Sequence, residues 1–219
     1  MARKNDSYNE DSIILTVGEF IFNIMVLNVL WFFCSLPVVT IGASTTALNY
    51  TCIKMRNDEG DSIIKMFFRS YTQNIRQALV IWTGILSLLI ILFAGLMQQL
   101  GNANAGSGLA VAFSIFLIIL ITIILTMSVY IFFVLSRFDN SIFRTIANAI
   151  ILMIRHPADT VKVMAIVMFS LLILPSFLWA FFPYGFPLVL FFDIPLTAYI
   201  LSGIFNRQFK EYIPELNEE

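Results

Sequence analysis

Three amide or acid side chains interrupt stretches that are otherwise fit for a lipid interior: Asn28, Asn49 and Asp193. Thr45 and Thr46 stand close to Asn49 in sequence. A polar group at membrane depth is costly unless it has a partner, so each is a candidate for solute or proton binding. The less demanding reading is interhelical hydrogen bonding, which contributes about 0.6–2 kcal/mol per contact. No Lys or Arg lies deep within the apolar stretches to pair with Asp193, Lys162 standing at the start of its own. Pro195, two residues on, removes a helical hydrogen bond beside it. Hydrolytic, metal and nucleotide chemistry have no foothold, since HExxH, GxSxG, the phosphate loop and the dinucleotide fingerprint are all missing. His156 is the one histidine, and "HPAD" reads as a helix stop with Asp159 or Thr160 capping the next span. Cys34 and Cys52 have no metal-ligand spacing and read as inert thiols. The chain is therefore expected to be no enzyme and to hold no metal or cofactor.

The elements that must position these residues are membrane helices. With 59% hydrophobic and only 12% charged residues, the composition is far from the roughly 25% charge of soluble domains. A net charge of −1 gives no basic field for nucleic acid. A spanning helix needs about 20 apolar residues. The stretches 13–36, 77–98, 109–136, 159–182 and 187–206 qualify, while 42–57 is short and polar. The predicted fold is all-α: a polytopic helical membrane protein with five to six transmembrane helices and two cytoplasmic amphipathic helices. A polar tail, 1–12, precedes one membrane domain over 13–206, and a cytoplasmic tail follows over 207–219. The first apolar run lacks a small-residue cleavage signal and reads as a retained span.

"SLPVVTIGAS", residues 35–44, decides between five spans and six. Pro37 disfavours helix at Leu36, Gly42 frees the backbone, and Ser44, Thr45 or Thr46 can cap a returning helix. If the chain turns back there, all thirteen Lys and Arg residues fall on one side. Both termini are then cytoplasmic by the positive-inside rule, and six crossings are favoured. Asn28, Asn49 and Asp193 would then share one layer, with Asn28 about 12 Å below the outer end of its span. If the chain instead exits, there are five spans and the N-terminus lies outside.

Two basic amphipathic segments flank the spans. In 61–76, Ile64, Phe67, Phe68, Tyr71 and Ile75 oppose Lys65, Arg69 and Arg76. In 141–156, Ile142, Phe143, Ile146, Ile150 and Ile154 oppose Arg144 and Arg155. Such helices lie at the interface, with their cations on lipid headgroups or on a partner. Both begin Ser-Ile-apolar-basic, which hints at an internal duplication. At the other side, Trp179, Phe181, Phe182, Tyr184 and Phe186 form an aromatic belt.

The block "NVLWFFCSLPVVTIGASTTALNYTCIKMRNDEGDSIIKMFFRSYTQNIRQALVIW" resembles the N-terminal signature of YesL-type bacterial integral membrane proteins, a family built on a domain of unknown function. "SRFDNSIFRTIANAIILMIRHPADT" resembles the family's second cytoplasmic segment more loosely. The family's usual residue after the glycine of the first block is proline, and Ala43 departs from it. The resemblance implies a multi-pass protein of the bacterial plasma membrane, encoded beside carbohydrate-uptake and polysaccharide-degradation genes in Firmicutes, with no assigned activity and no catalytic residue to transfer. Two functions are expected on this basis. One is an accessory or regulatory component of carbohydrate ABC uptake, with Lys65, Arg69, Arg76, Arg144 and Arg155 as its contact surface. The other is a stand-alone small-solute transporter using Asn28, Asn49, Asp193, Thr45 and Thr46. Expected partners are the lipid bilayer, ABC transporter subunits and a second copy of the chain.

Overall fold

The computed structural model describes residues 2–59, 62–101, 106–176 and 186–212, and every regular element among them is helical. They are α1 (Ala2–Ser35), a 3-10 turn (Val38–Thr40), α2 (Ile41–Arg56), α3 (Ile63–Gly101) and α4 (Gly108–Arg137). After these come α5 (Ile142–Arg155), α6 (Pro157–Met168, continued through a π-helical turn at Phe169–Ile173) and α7 (Phe186–Tyr212). Four stretches among the described residues are long and apolar enough to cross a membrane: Leu15–Ser35, Ile63–Gly101, Gly108–Arg137 and Pro157–Ser176. The predicted belt at Trp179, Phe181, Phe182 and Tyr184 lies outside the described residues, as does the side chain of Phe186.

Several boundaries differ from expectation. Helix α1 starts at Ala2, so most of the polar 1–12 segment is its first turns. The predicted amphipathic segment 61–76 and span 77–98 are one unbroken helix, α3, because no Gly, Pro or capping pattern separates them. The second basic segment does break from its span, at His156–Pro157. Pro157 occupies the first helical position of α6, where its missing N–H costs nothing. Ser62 and Ser141 each accept, at their backbone carbonyl, the amide of the residue four positions on, Met66 and Thr145.

The chain turns at Leu36. Helix α1 ends at Ser35, and the Thr40 amide closes the turn on the Pro37 carbonyl at 2.8 Å. The Thr40 hydroxyl is shared between the Cys34 carbonyl, 2.6 Å away, and that of Pro37 at 2.7 Å. Thr40, not Ser44, Thr45 or Thr46, occupies the N-cap of α2. Those three lie inside the helix. Ser44 and Thr46 donate back to Thr40 O at 3.1 Å and Gly42 O at 2.8 Å.

Helix α2 then runs through the middle of the bundle, against α1, α3, α4 and α7. It has 16 residues, about 24 Å, and is too short to span alone. Its N-terminal turn is small (Gly42, Ala43, Ser44), which lets neighbouring backbones approach closely. Gly42 is helical, so it serves proximity and not an unusual backbone angle. A Cβ there would lie 2.7 Å from Trp82 Cβ, 3.0 Å from the Phe132 ring and 3.1 Å from the Ala78 carbonyl.

These contacts set the depth of the turn. Trp82 Nε1 donates to the Val38 carbonyl at 2.7 Å, and Trp82 stands midway along α3. From Trp82 to Gly101, α3 runs on for about 28 Å. The α1–α2 turn therefore does not reach the level of the α3–α4 connection, where the predicted layer of polar groups would have placed it. The first half of α3 buries Met66, Phe67, Ser70, Asn74, Ala78 and Ile81. Its second half buries only Leu96 among the described residues and leaves Ile90, Ile91 and Phe93 exposed.

Replacing Gly42 with Ala is expected to lower stability by about 1–3 kcal/mol, the usual range for overpacking. Thermal unfolding in detergent should show a lower midpoint for Gly42→Ala. Gly84→Ala, where nothing lies within 4 Å, should leave the midpoint unchanged or raise it slightly. Equal effects at both sites would remove the case for a close contact at Gly42.

Candidate functional site

Two polar assemblies stand out, one inside the bundle and one at its basic end. Inside, α1, α2 and α7 meet where Leu27, Ala47, Leu48 and Ala198 are buried together with Ile194 packed against them. Asn28 and Asn49, each 2% exposed, adjoin this cluster in sequence. Thr45 accepts a hydrogen bond from Trp31 Nε1 at 3.2 Å, tying α2 to α1. Thr46 is fully buried and bonds its own helix. Thr45 is thus used between helices and Thr46 within its own.

The Asp193 carboxylate has hydroxyl partners. Ser170 Oγ on α6 donates to its Oδ2 at 2.5 Å, and Thr197 Oγ1, one turn further along α7, to its Oδ1 at 3.4 Å. Ser170 is 5% exposed and lies in the π-helical turn. Pro195 lies within α7, beside Asp193. A π-helical turn and a proline-bearing helix therefore meet at this carboxylate. Sequence reasoning found the Asp and the Pro but not Ser170, because a single serine in an apolar run carries no signal of a π turn.

At the basic end, the C-terminal half of α7 is clamped from both sides. From α2, Arg56 donates to Ser202 Oγ at 3.0 Å and to the Tyr199 carbonyl at 2.7 Å, and its guanidinium lies 4.3 Å from the Tyr199 ring centre. Gly203 makes room for it, since a Cβ there would sit 3.1 Å from Arg56 Cζ. Asn57 and Asn206 join side chain to side chain at 2.7 Å, and Lys54 pairs with Glu59. From α6, buried Asp159 accepts from Arg207 at 2.8 and 2.7 Å, from Lys162 at 3.0 Å and from Gln208 at 3.3 Å. The carboxylate beside it pushes the Arg207 guanidinium further up from its usual range. His156, and neither Asp159 nor Thr160 as expected, is the N-cap of α6, and Asp159 has another role. It instead holds α7, while Thr160 donates to the Met153 and His156 carbonyls and meets the Tyr130 hydroxyl at 3.0 Å.

Lys65, Arg69, Arg76, Arg144 and Arg155 are all exposed. The apolar faces opposite them divide between the core, where Phe67, Tyr71, Ile75, Ile142 and Ile146 pack, and the surface. On α3, Ile64 and Phe68 stay exposed while Met66 and Ser70 turn inward. On α5, small Thr145 and Ala149 pack inward with Leu152, which brings α5 close to the bundle. Phe143 and Ile154 are left 86% and 70% exposed. Arg155 rests near the Tyr212 ring at 5.4 Å. Among the described residues no group of three or more His, Cys, Asp or Glu gathers to hold a metal, and both cysteines are free.

Residues 24–96 match the family described as "Protein of unknown function, DUF624". The match covers about a third of the chain, from the middle of α1 to the last turns of α3. It encloses the whole block that carries the YesL-type resemblance, the Leu36 turn and α2. No curated protein and no solved structure matches the chain.

Removing the Asp159 carboxylate leaves three donors without their acceptor. Asp159→Ala is expected to cost about 1–3 kcal/mol, and Arg207→Ala less, because Arg207 is largely exposed. Chemical or thermal unfolding of both variants in detergent checks the order. A larger loss for Arg207→Ala would contradict this account of the α6–α7 contact.

Proposed function

We propose that the protein is a membrane-embedded accessory or regulatory component that works beside a carbohydrate ABC transporter. The observation carrying this reading is the outward presentation of Lys65, Arg69, Arg76, Arg144 and Arg155 on two helices, next to exposed Phe68, Phe143 and Ile154. A basic surface with apolar residues between the cations suits the acidic cytoplasmic face of another membrane protein, and rim charges of this kind steer association. The bundle behind it is closed at its centre by α2. The genomic setting implied by the YesL-type resemblance supplies the class of partner. Placing the basic helices and both termini in the cytoplasm belongs to the same reading, with α1 and α2 as a helical hairpin entering from that side.

Tagged protein is expected to co-purify with components of a carbohydrate ABC transporter from its native membrane. The pair Arg69→Glu and Arg76→Glu should abolish that association without loss of folded protein. Undiminished co-purification of the reversed variant would count against this surface.

A second reading, solute transport by this chain alone, draws on the Asp193–Ser170 contact between a π-helical turn and a proline-bearing helix. Broken helices with carboxylates at depth are the usual architecture of substrate and ion sites in transporters. Proteoliposomes containing only this protein would show flux of a supplied sugar, and Asp193→Asn and Ser170→Ala would each lower it at least tenfold. Unchanged flux in Asp193→Asn would exclude that residue from the site.

A further inference from the structure

We propose that the crevice between α1 and the start of α3 binds a phospholipid whose headgroup carries a primary ammonium, the phosphatidylethanolamine class. The crevice measures about 600 Å³, within the range of small-molecule sites. It is lined by α1 and the start of α3, by Lys54 and Met55 of α2, by Asp58 and Glu59 just after α2, and by Tyr199 of α7.

The lining divides by polarity. Phe22, Val26, Ile63 and Ile64 make an apolar wall. Phe22 and Ile64 are 65% and 49% exposed, so this wall continues onto the outer surface of α1 and α3. A wall open to the outside in this way could take an acyl chain, with the exposed Lys65 next to it in sequence. The polar part comes from Glu19 and Asn23, one turn apart on α1, and from Lys54, Asp58 and Glu59 at the end of α2. An apolar wall and charged groups in one crevice make the shape of a site for an amphiphile.

Charge then selects the headgroup. Lys54 is ion-paired with Glu59, and Glu19 and Asp58 add two further carboxylates, so the lining is net negative. A headgroup bearing only a phosphate meets repulsion. A zwitterionic one can set its ammonium against Glu19 and Asp58 with its phosphate toward Lys54. A primary ammonium donates three hydrogen bonds, and those to carboxylates are charge-assisted. The quaternary ammonium of a choline headgroup donates none, so the site should distinguish the two. Free phosphoethanolamine would leave the apolar wall empty. The site is separate from the outward basic face at Arg69 and Arg76, and the proposal does not depend on the transporter reading.

Native mass spectrometry of the full chain, titrated with lipids of identical acyl chains, tests the site. Phosphatidylethanolamine is expected to bind about tenfold more tightly than phosphatidylcholine, the worth of one charge-assisted hydrogen bond, and more tightly than phosphatidylglycerol. The double variant Glu19→Gln, Asp58→Asn should bind phosphatidylethanolamine no better than phosphatidylcholine. Val26→Trp, which fills the apolar wall, should weaken binding of phosphatidylethanolamine and phosphatidylcholine alike. Equal binding of all three lipids by the unaltered chain, a preference for phosphatidylglycerol, or an ethanolamine preference that survives the double variant would each overturn the proposal. Free phosphoethanolamine that competes as well as the lipid would reassign the crevice to a soluble ligand and overturn it too.

Discussion

A helix carrying five hydroxyls and an asparagine among sixteen residues can sit inside an apolar bundle only if its polar groups are satisfied there, because lipid offers no replacement partner. Helix α2 meets that condition largely within itself. Ser44, Thr46 and Thr51 each return a hydrogen bond to the carbonyl four residues earlier, and Thr45 takes the Trp31 indole. With those groups closed off, the small N-terminal turn of α2 can press against Ala78, Trp82 and Phe132, and the Gly42 contact fixes its height on α3. The positions of α1, α3, α4 and α7 depend on it, since α2 touches all four.

That arrangement explains why the bundle is uneven along its length. Beside α2, the first half of α3 is amphipathic and packs on one face. Beyond the Leu36 turn, α3 and α4 continue as a pair whose side chains are mostly apolar, with Leu96, Ala110 and Leu117 buried and Phe93, Phe113 and Phe116 exposed. Such a surface is consistent with contact with a lipid bilayer. At the other end the polar clamps concentrate on α7. Arg56 and Asp159 hold it from α2 and α6, over a core where the Phe133 and Phe205 rings stack at 4.0 Å.

Much of this was legible in the residues. Composition and run length pointed to membrane helices, Pro37 to the end of α1, and "HPAD" to a break before α6. Lys65, Arg69, Arg76, Arg144 and Arg155 are exposed, as their spacing suggested. Other features depend on neighbours that local pattern does not encode. Gly42 read as a backbone hinge, but its use is close approach to Trp82, forty residues away. Asp159 read as a cap because capping is a local rule, whereas its partners Arg207 and Gln208 come from another helix. On α5, Ile142 and Ile146 of the predicted apolar face pack on the core, while Phe143 and Ile154 of the same face stay exposed. Small Thr145 and Ala149 pack closer, and an exposed phenylalanine carries little penalty in a membrane. Asn28, Asn49 and Asp193 lie on α1, α2 and α7, and for Asp193 the partner that periodicity could not supply is Ser170.

The central claim is that the chain turns back beside Trp82, midway along α3, and not at the level of the α3–α4 connection. Cysteine pairs placed in a Cys34→Ser, Cys52→Ser background and oxidised in native membranes measure this directly. Gly42→Cys with Trp82→Cys is predicted to form an intramolecular disulfide, while Gly42→Cys with Leu100→Cys is not. A cross-link in the second pair and none in the first would place the turn at the far end of α3 and contradict the account.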